Sequence, residues 1–402
     1  MKKFLALFLT VCMLLGLVTV ALADDTISLL VWVGDDLDMP WINGVIENFK
    51  AANPETTFDI KVGVVSEANA KATVLTDMTA AADVYTFAHD QLAELVNAGA
   101  LQAPYNPDEI IARNDAGSVA ASSMDGTLYA YPATADNGYF MFYNKAYLTE
   151  EDVLSLDAMM DVAAAAGKKV SMDWSSGWYL YSFFAGAGLT MTLLPDGLNN
   201  ECNWNATDTP ITGVQVAEAM LAIAANPGFT NLGDDAFVTG IKDGSVIAGV
   251  NGVWNATAAA EAWGDDYAAT KLPTYTVADQ QVQMASFAGY KLVGVNAYSA
   301  NVGWAMIFAD YMTNEESQFS RFELRGQGPS NIVAGASDEV KASAAIAALT
   351  AQSAYATPQL AGGNYWSPAA TLGAILYGGN EDGTDLQTLL DNAVAGIIAP
   401  VQ

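Results

Sequence analysis

The sequence predicts an α/β protein built on parallel sheets, and two observations carry that expectation. From Ile27 to Gly99 the chain alternates strand, helix, strand, helix, strand, the pattern of linked βαβ units. Hydrophobic residues make up 52% of the chain and charged residues 15%, enough for large cores and too apolar for a disordered chain. Ile27–Val33 is a near-continuous apolar run, as expected of a strand buried on both faces. Gly34-Asp35-Asp36 turns the chain. Trp41–Ala52 carries Ile42, Val45, Ile46 and Phe49 at the helical period, and Asn53-Pro54 stops it. Phe58–Val65 reads as a second strand, Asn69–Ala82 as a second helix, and Asp83–Phe87 as a third strand. His89–Ala98 is a third helix, closed by Gly99.

Helices then dominate: Glu151–Ala166, Trp178–Ala187, Val214–Ala225 and Asp235–Asp243. Short strands are expected at Val246–Val250 and Lys271–Tyr275, and Phe287–Val295 returns to strand character. Ala300–Tyr311, Asp338–Gln352, Ser367–Tyr377 and Asp385–Ile397 complete the helices, with Trp304 on a core-facing side. There are no solenoid-length repeats. At roughly 150 residues per domain, 402 residues predict two or three domains. No long Pro/Ser-rich linker separates two halves. Two lobes would therefore be joined by short crossings, with candidates near 134–138, 289–292 and 325–329.

Lys2 and Lys3 precede an apolar run, and Ala21-Leu22-Ala23 supplies small residues for cleavage after Ala23, so residues 1–23 read as a secretory signal peptide. Val11 before Cys12 does not suit a lipid anchor. After cleavage Cys202 is the sole cysteine, which leaves no intrachain disulfide. The expected location is the periplasm or the outer face of the cytoplasmic membrane. Fifteen Lys and Arg against 45 Asp and Glu give a net charge of −30, which repels phosphate backbones and excludes nucleic acid as a partner. A single histidine and two cysteines exclude His- or Cys-rich zinc sites. No P-loop, dinucleotide fingerprint or EF-hand loop is present, so no metal and no cofactor are expected.

Two residue classes could carry chemistry. Asp36, Asp90 and Asp136 each follow an apolar strand-like run, and ligands in open α/β sheets bind outside the carboxyl ends of strands. Loop aspartates also serve as helix caps and turn residues. Trp178, Trp254 and Trp366 each follow a Gly-containing loop at a helix start. A large aromatic so placed suits a platform for a sugar ring, whose C–H face packs on the π surface while its hydroxyls seek carboxylates and amides. A single such tryptophan is more often core; three in the same setting point to one ligand site. His89 lacks a Gly-x-Ser-x-Gly nucleophile elbow to serve and reads as structural.

In this order and spacing, Phe87-Ala88-His89-Asp90, Tyr131-Pro132 running to Tyr143-Asn144-Lys145, Asn251-Gly252-Val253-Trp254, Leu272-Pro273, Val295-Asn296-Ala297 and Pro358-Gln359 leading to Trp366 resemble the extracellular solute-binding proteins of bacterial ABC transporters, in their maltose/maltodextrin branch. The resemblance runs from Leu29 to about Ile397. It implies a two-lobed periplasmic-binding-protein fold of the class II type, with residues 24–134 plus 292–324 in one lobe and 139–288 plus 330–402 in the other. It also implies that Asp36 and Asp90 accept sugar hydroxyls, that Phe87 stands beside the sugar, and that Asp136 replaces a hinge glutamate. Trp178, Trp254 and Trp366 then form the aromatic shelf. Three family positions differ: a lysine is Leu37, an arginine is Gln91 and a glutamate is Ser176.

The function expected from these residues is capture of an oligosaccharide, most simply a maltodextrin, and its delivery to an ABC permease by a monomeric, non-enzymatic protein. A different oligosaccharide or a polyol is the alternative ligand. A secreted glycosidase using two of the three aspartates is the alternative class.

Overall fold

The computed structural model describes residues 26–401. The leader expected at residues 1–23 lies outside them. Strands β1 (Ile27–Val33), β2 (Phe58–Val64), β3 (Val84–Ala88) and β4 (Tyr131–Thr134) belong to a first sheet. Strands β5 (Tyr139–Asn144), β6 (Lys169–Ser171), β7 (Phe229–Thr230), β8 (Val246–Gly252) and β9 (Tyr267–Thr270) form a second. After the short β10 (Ser286–Ala288), β11 (Lys291–Val295) returns to the first sheet, and β12 (Ala356–Pro358) pairs with β10.

The two sheets share one pattern. The first runs β2-β1-β3-β11-β4 and the second β7-β6-β8-β5-β9. In each, three strands are parallel and the fourth, which directly follows a crossing from the other lobe, is antiparallel. The molecule is therefore two α/β lobes, each a sheet flanked by helices. Separate apolar cores sit in them, for example Val31, Ile42, Phe49 and Phe308 in the first and Met159, Trp174, Phe183 and Trp204 in the second. Trp304 is partly buried against the first core, edge-on to Phe58 at 5.0 Å. Cys202 is buried in the second lobe, and burial pushes its thiol up to about 12.

Among the expected elements that differ, three have a local reason. The helix from Ala70 ends at Thr76 because Asp77 Oδ1 accepts from Thr79 and Ala80 N–H and starts a turn. The strand expected at Lys271–Tyr275 forms only from Thr274, as Thr274–Val277; residues 271–273 separate it from β9, and Pro273 has no N–H for a ladder. The helix expected over Asp338–Gln352 is two, Asp338–Lys341 and Ala344–Gln352, with Ser343 capping the second.

The crossings place the site. Residues 135–138 join β4 to β5, and 289–290 join β10 to β11. His89 is wedged against the second of these: its backbone N–H donates to Tyr290 O at 3.1 Å, and its ring lies where a Gly289 side chain would be. Gly328 pairs with the first crossing through Ala135 N–H. The chain then stays on the first lobe, where Asp115 N–H donates to Ser330 O and Asn331 N–H donates to Gln318 Oε1. It departs beyond Gly335 toward the helix Ala344–Gln352, which packs on β5 and β9.

Candidate functional site

The carboxyl ends of the parallel strands of both sheets supply the site, as open α/β sheets require. In the first lobe β1 leads to Asp35, Asp36 and Asp38, β2 to Glu67, and β3 to His89 and Asp90. In the second lobe β6 leads to Trp178, β7 to Asp234 and β8 to Trp254. Each tryptophan is fixed by its local sequence. Trp178 occupies the first turn of the helix Gly177–Gly186, and Trp254 sits in a single 3-10 turn after Gly252. Gly252 leaves room for the six-membered ring of Trp254, which lies where its side chain would go.

The two indoles face each other with ring centroids 5.7 Å apart and planes tilted by 37°. Trp254 Nε1 donates to Asp234 Oδ2 at 3.0 Å, and Asn251 Nδ2 donates to the other oxygen at 3.0 Å. Across the cleft, the Lys291 ammonium of β11 stands 5.1 Å from the centroid of Trp254. Gln359 joins the remaining parts. Its Nε2 donates to Asp90 Oδ1 at 2.9 Å, and its Oε1 accepts from Trp178 Nε1 at 2.8 Å and Asn137 Nδ2 at 3.0 Å.

Behind these groups lies a charged network. Lys291 pairs with Glu67 at 3.4 Å, and Arg321 lies 3.6 Å from Glu67 and 3.5 Å from Asp38. Arg325 holds Asp38 at 2.9 Å and reaches Asp35 at 3.5 Å. Arg321 also stacks its guanidinium on Trp41 at 4.7 Å. In a chain with 15 cationic side chains, three converge here.

The expected site residues are not all brought together. Asp90, Trp178 and Trp254 converge. Asp136 lies on the first crossing, almost fully buried; Oδ2 accepts from Gly328 N–H, and Oδ1 has no partner among the described residues. Trp366 begins the helix Trp366–Tyr377 and packs on Tyr365 and Phe287, while Tyr365 Oη donates to Gly177 O beside Trp178. Asp36 stays exposed on the turn after β1. Phe87 has no exposed surface; its ring packs with Tyr85 inside the first lobe instead of facing a ligand. Of the altered family positions, Gln91 is structural: it donates to Glu67 O and accepts from Lys71 N–H. Leu37 is exposed, and Ser176 precedes the Trp178 helix.

Sequence reasoning missed Gln359, Lys291, Asp234, Glu67, Arg321 and Arg325 as site residues. The scarcity of cations was the one usable signal, since a rare Lys or Arg is informative in so acidic a chain.

Burial raises the Asp90 carboxyl to about 7, against the pull of Lys71 and the Gln359 hydrogen bond. Burial also raises Asp136 and Asp234, opposed mainly by Lys291 at the first and by Asn251 at the second. The His89 imidazole is pushed down to about 4 by burial. His89 Nδ1 accepts the backbone N–H of Tyr290 at 3.4 Å. What the arrangement offers is aromatic faces beside carboxylate and amide groups, a recognition surface for a hydroxyl-rich ring.

Known proteins share the fold of this chain. The galactooligosaccharide-binding protein of Bacillus subtilis is 26% identical over 352 residues, covering 81% of this chain and 80% of that protein. A structure solved with acarbose is 30% identical, with a TM-score of 0.81 over 93% of this chain and 99% of its own. A maltodextrin-binding protein of L. casei is 24% identical, with a TM-score of 0.74 over 92% of this chain and 99% of its own, a likeness of fold. The profile of the bacterial extracellular solute-binding proteins matches residues 44–348. On that match, which spans most of both lobes, the chain belongs to the bacterial extracellular solute-binding protein family.

Proposed function

We propose that this protein captures a short oligosaccharide of the maltodextrin type between its lobes and delivers it to the permease of an ABC importer. The observation that carries the reading is the Trp178–Trp254 pair, set within one hydrogen-bonded assembly with Asp90, Asp234 and Gln359. A pyranose ring packs its C–H face on such a shelf, and the carboxylates take its hydroxyls. The acarbose-bound structure supports a glucan-like ligand. The Bacillus subtilis relative and the changes at Leu37, Gln91 and Ser176 support a second reading, a galactooligosaccharide in the same site. Asp36, Asp136, Trp366 and Phe87 belong to the proposal as residues at or around the site, with Phe87 acting from behind as core. The protein works as a monomer, exported by its leader and without catalysis.

The test is a thermal-shift and calorimetric panel of maltose, maltotriose, longer maltodextrins, galactooligosaccharides and polyols. A dissociation constant of about 0.1–10 μM corresponds to about −8 to −10 kcal/mol. At about 100-fold excess over Kd the native state gains near 2.7 kcal/mol, an easily read shift in Tm. Binding of maltodextrins supports the first reading and binding of galactooligosaccharides alone the second. Silence across the panel sinks the sugar reading, and release of reducing sugar would replace it with hydrolysis.

A further inference from the structure

We infer that Gln359 is a positioning residue that joins the two lobes through the ligand site and so sets which ligands close the cleft. The inference rests on the sugar-binding reading for its ligand and on contacts of this chain for its mechanism. Gln359 follows β12, whose pairing with β10 ties it to the second lobe, and its backbone N–H donates to Ala288 O at 2.8 Å, one residue before the 289–290 crossing. Its side chain is buried and makes three bonds to three different parts of the molecule. Asp90 lies on the first lobe, Trp178 on the second, and Asn137 on the first crossing.

The chemistry demands an amide. Two N–H donors, from Trp178 and Asn137, converge on one oxygen, while a carboxylate awaits a donor on the other side. A glutamine supplies a double acceptor and a donor at the end of one flexible stem. A glutamate would place a second carboxyl against Asp90, and a leucine would leave all three partners unpaired in a buried place. Trp178 and Asp90, one a stacking face and the other a hydroxyl acceptor, are thereby held at a fixed separation. That separation, rather than either residue alone, selects the span of a sugar ring. Second-lobe groups also meet the first lobe near Gly363, beside Lys71 and Glu94, so the bridge lies within a continuous contact between lobes.

The experiment compares the wild type with Gln359→Leu and Gln359→Glu. Spin labels at Tyr105→Cys in the first lobe and Leu154→Cys in the second, both 56% exposed, report the interlobe distance without any sugar. Gln359→Leu is expected to move the distribution to longer distances, and an unchanged distribution overturns the inference. With maltotriose or galactotriose as probe, Gln359→Leu is expected to raise Kd at least tenfold at every pH. Gln359→Glu is expected to approach wild-type affinity near pH 5, where one proton is shared with Asp90, and to lose it by pH 8. Lys71 and Glu94 act on the same carboxyl and are common to all three proteins. Equal affinity of Gln359→Glu and wild type across that range overturns the inference. So does a loss that merely tracks a lower urea midpoint. A wild type that binds neither sugar defeats the sugar reading, and the distance measurement then decides the role of Gln359 alone.

Discussion

Trp254 shows how much a single residue depends on its surroundings: an aspartate holds its edge, a glycine makes room for its ring, and a lysine from the other lobe stands over it. Replacing Trp254 or Trp178 with alanine is expected to weaken sugar binding by about 1–3 kcal/mol, from lost stacking and burial, as measured by calorimetry. Trp366→Ala is expected to cost less, because that ring packs mainly on Tyr365 and Phe287. His89 and Asp90 are sequence neighbours with opposite linkage. The native imidazole titrates near 4 instead of its ordinary 6.5, so its contribution to stability rises with pH between those values. The native Asp90 carboxyl titrates near 7 instead of 3.8, so its contribution falls as pH rises over that interval. Relative to wild type, His89→Gln is expected to lose stability as pH rises from 4 to 6.5, and Asp90→Asn to gain it, read as the difference in Tm across the series. Identical slopes in all three proteins would refute the assignment. At this scale the sequence was partly legible. Glycine before tryptophan marks a held indole, but Phe87 could not be placed. β3 is buried along its whole length, so no polar alternation tells which of its side chains points toward a ligand.

One element that sequence periodicity left unread is the helix Glu315–Arg325. It contains Gln318, Arg321 and Arg325 as buried residues, so its inner face looks polar and no apolar stripe announces it. Those residues find partners more than 200 positions away in sequence, beyond the reach of any local pattern. Arg321 and Arg325 brace the loops after β1 and β2 through Asp35, Asp38 and Glu67, while Gln318 ties the helix to Asn114, Pro132 and Asn331. Arg325 and Asp38 are both almost completely buried at 2.9 Å. Arg325→Ala or Asp38→Ala alone should cost up to about 3 kcal/mol in urea unfolding, because each takes the closest partner from a buried charge and leaves it only the longer contact, Arg321 for Asp38 or Asp35 for Arg325. Arg325→Met with Asp38→Leu should recover much of that loss; a double variant as unstable as the sum of the singles would show that the pair does not act as a unit. The βαβ opening, by contrast, was legible because buried parallel strands read as continuous apolar runs.

On the scale of the whole molecule, the two sheets repeat one strand order, and each receives its antiparallel strand from a crossing, so neither lobe's sheet is complete until the chain has crossed between them. Sugar binding is expected to reduce the radius of gyration in solution scattering, since a ligand touching both lobes favours the closed form by its differential affinity. The charge of −30 is a separate global term. Self-repulsion among so many carboxylates destabilises the compact state, so Tm should rise between 50 and 500 mM sodium chloride, and a fall would show that local ion pairs dominate. Cys202 has a further consequence. It is the sole cysteine among the described residues, and its thiol is enclosed and held protonated far above neutral pH. Among the described residues, thiol reagents therefore meet no competing target in the folded chain. One cysteine introduced at the rim of the cleft would be uniquely addressable by an environment-sensitive dye, and each binding event would become an optical signal from an otherwise unmodified protein.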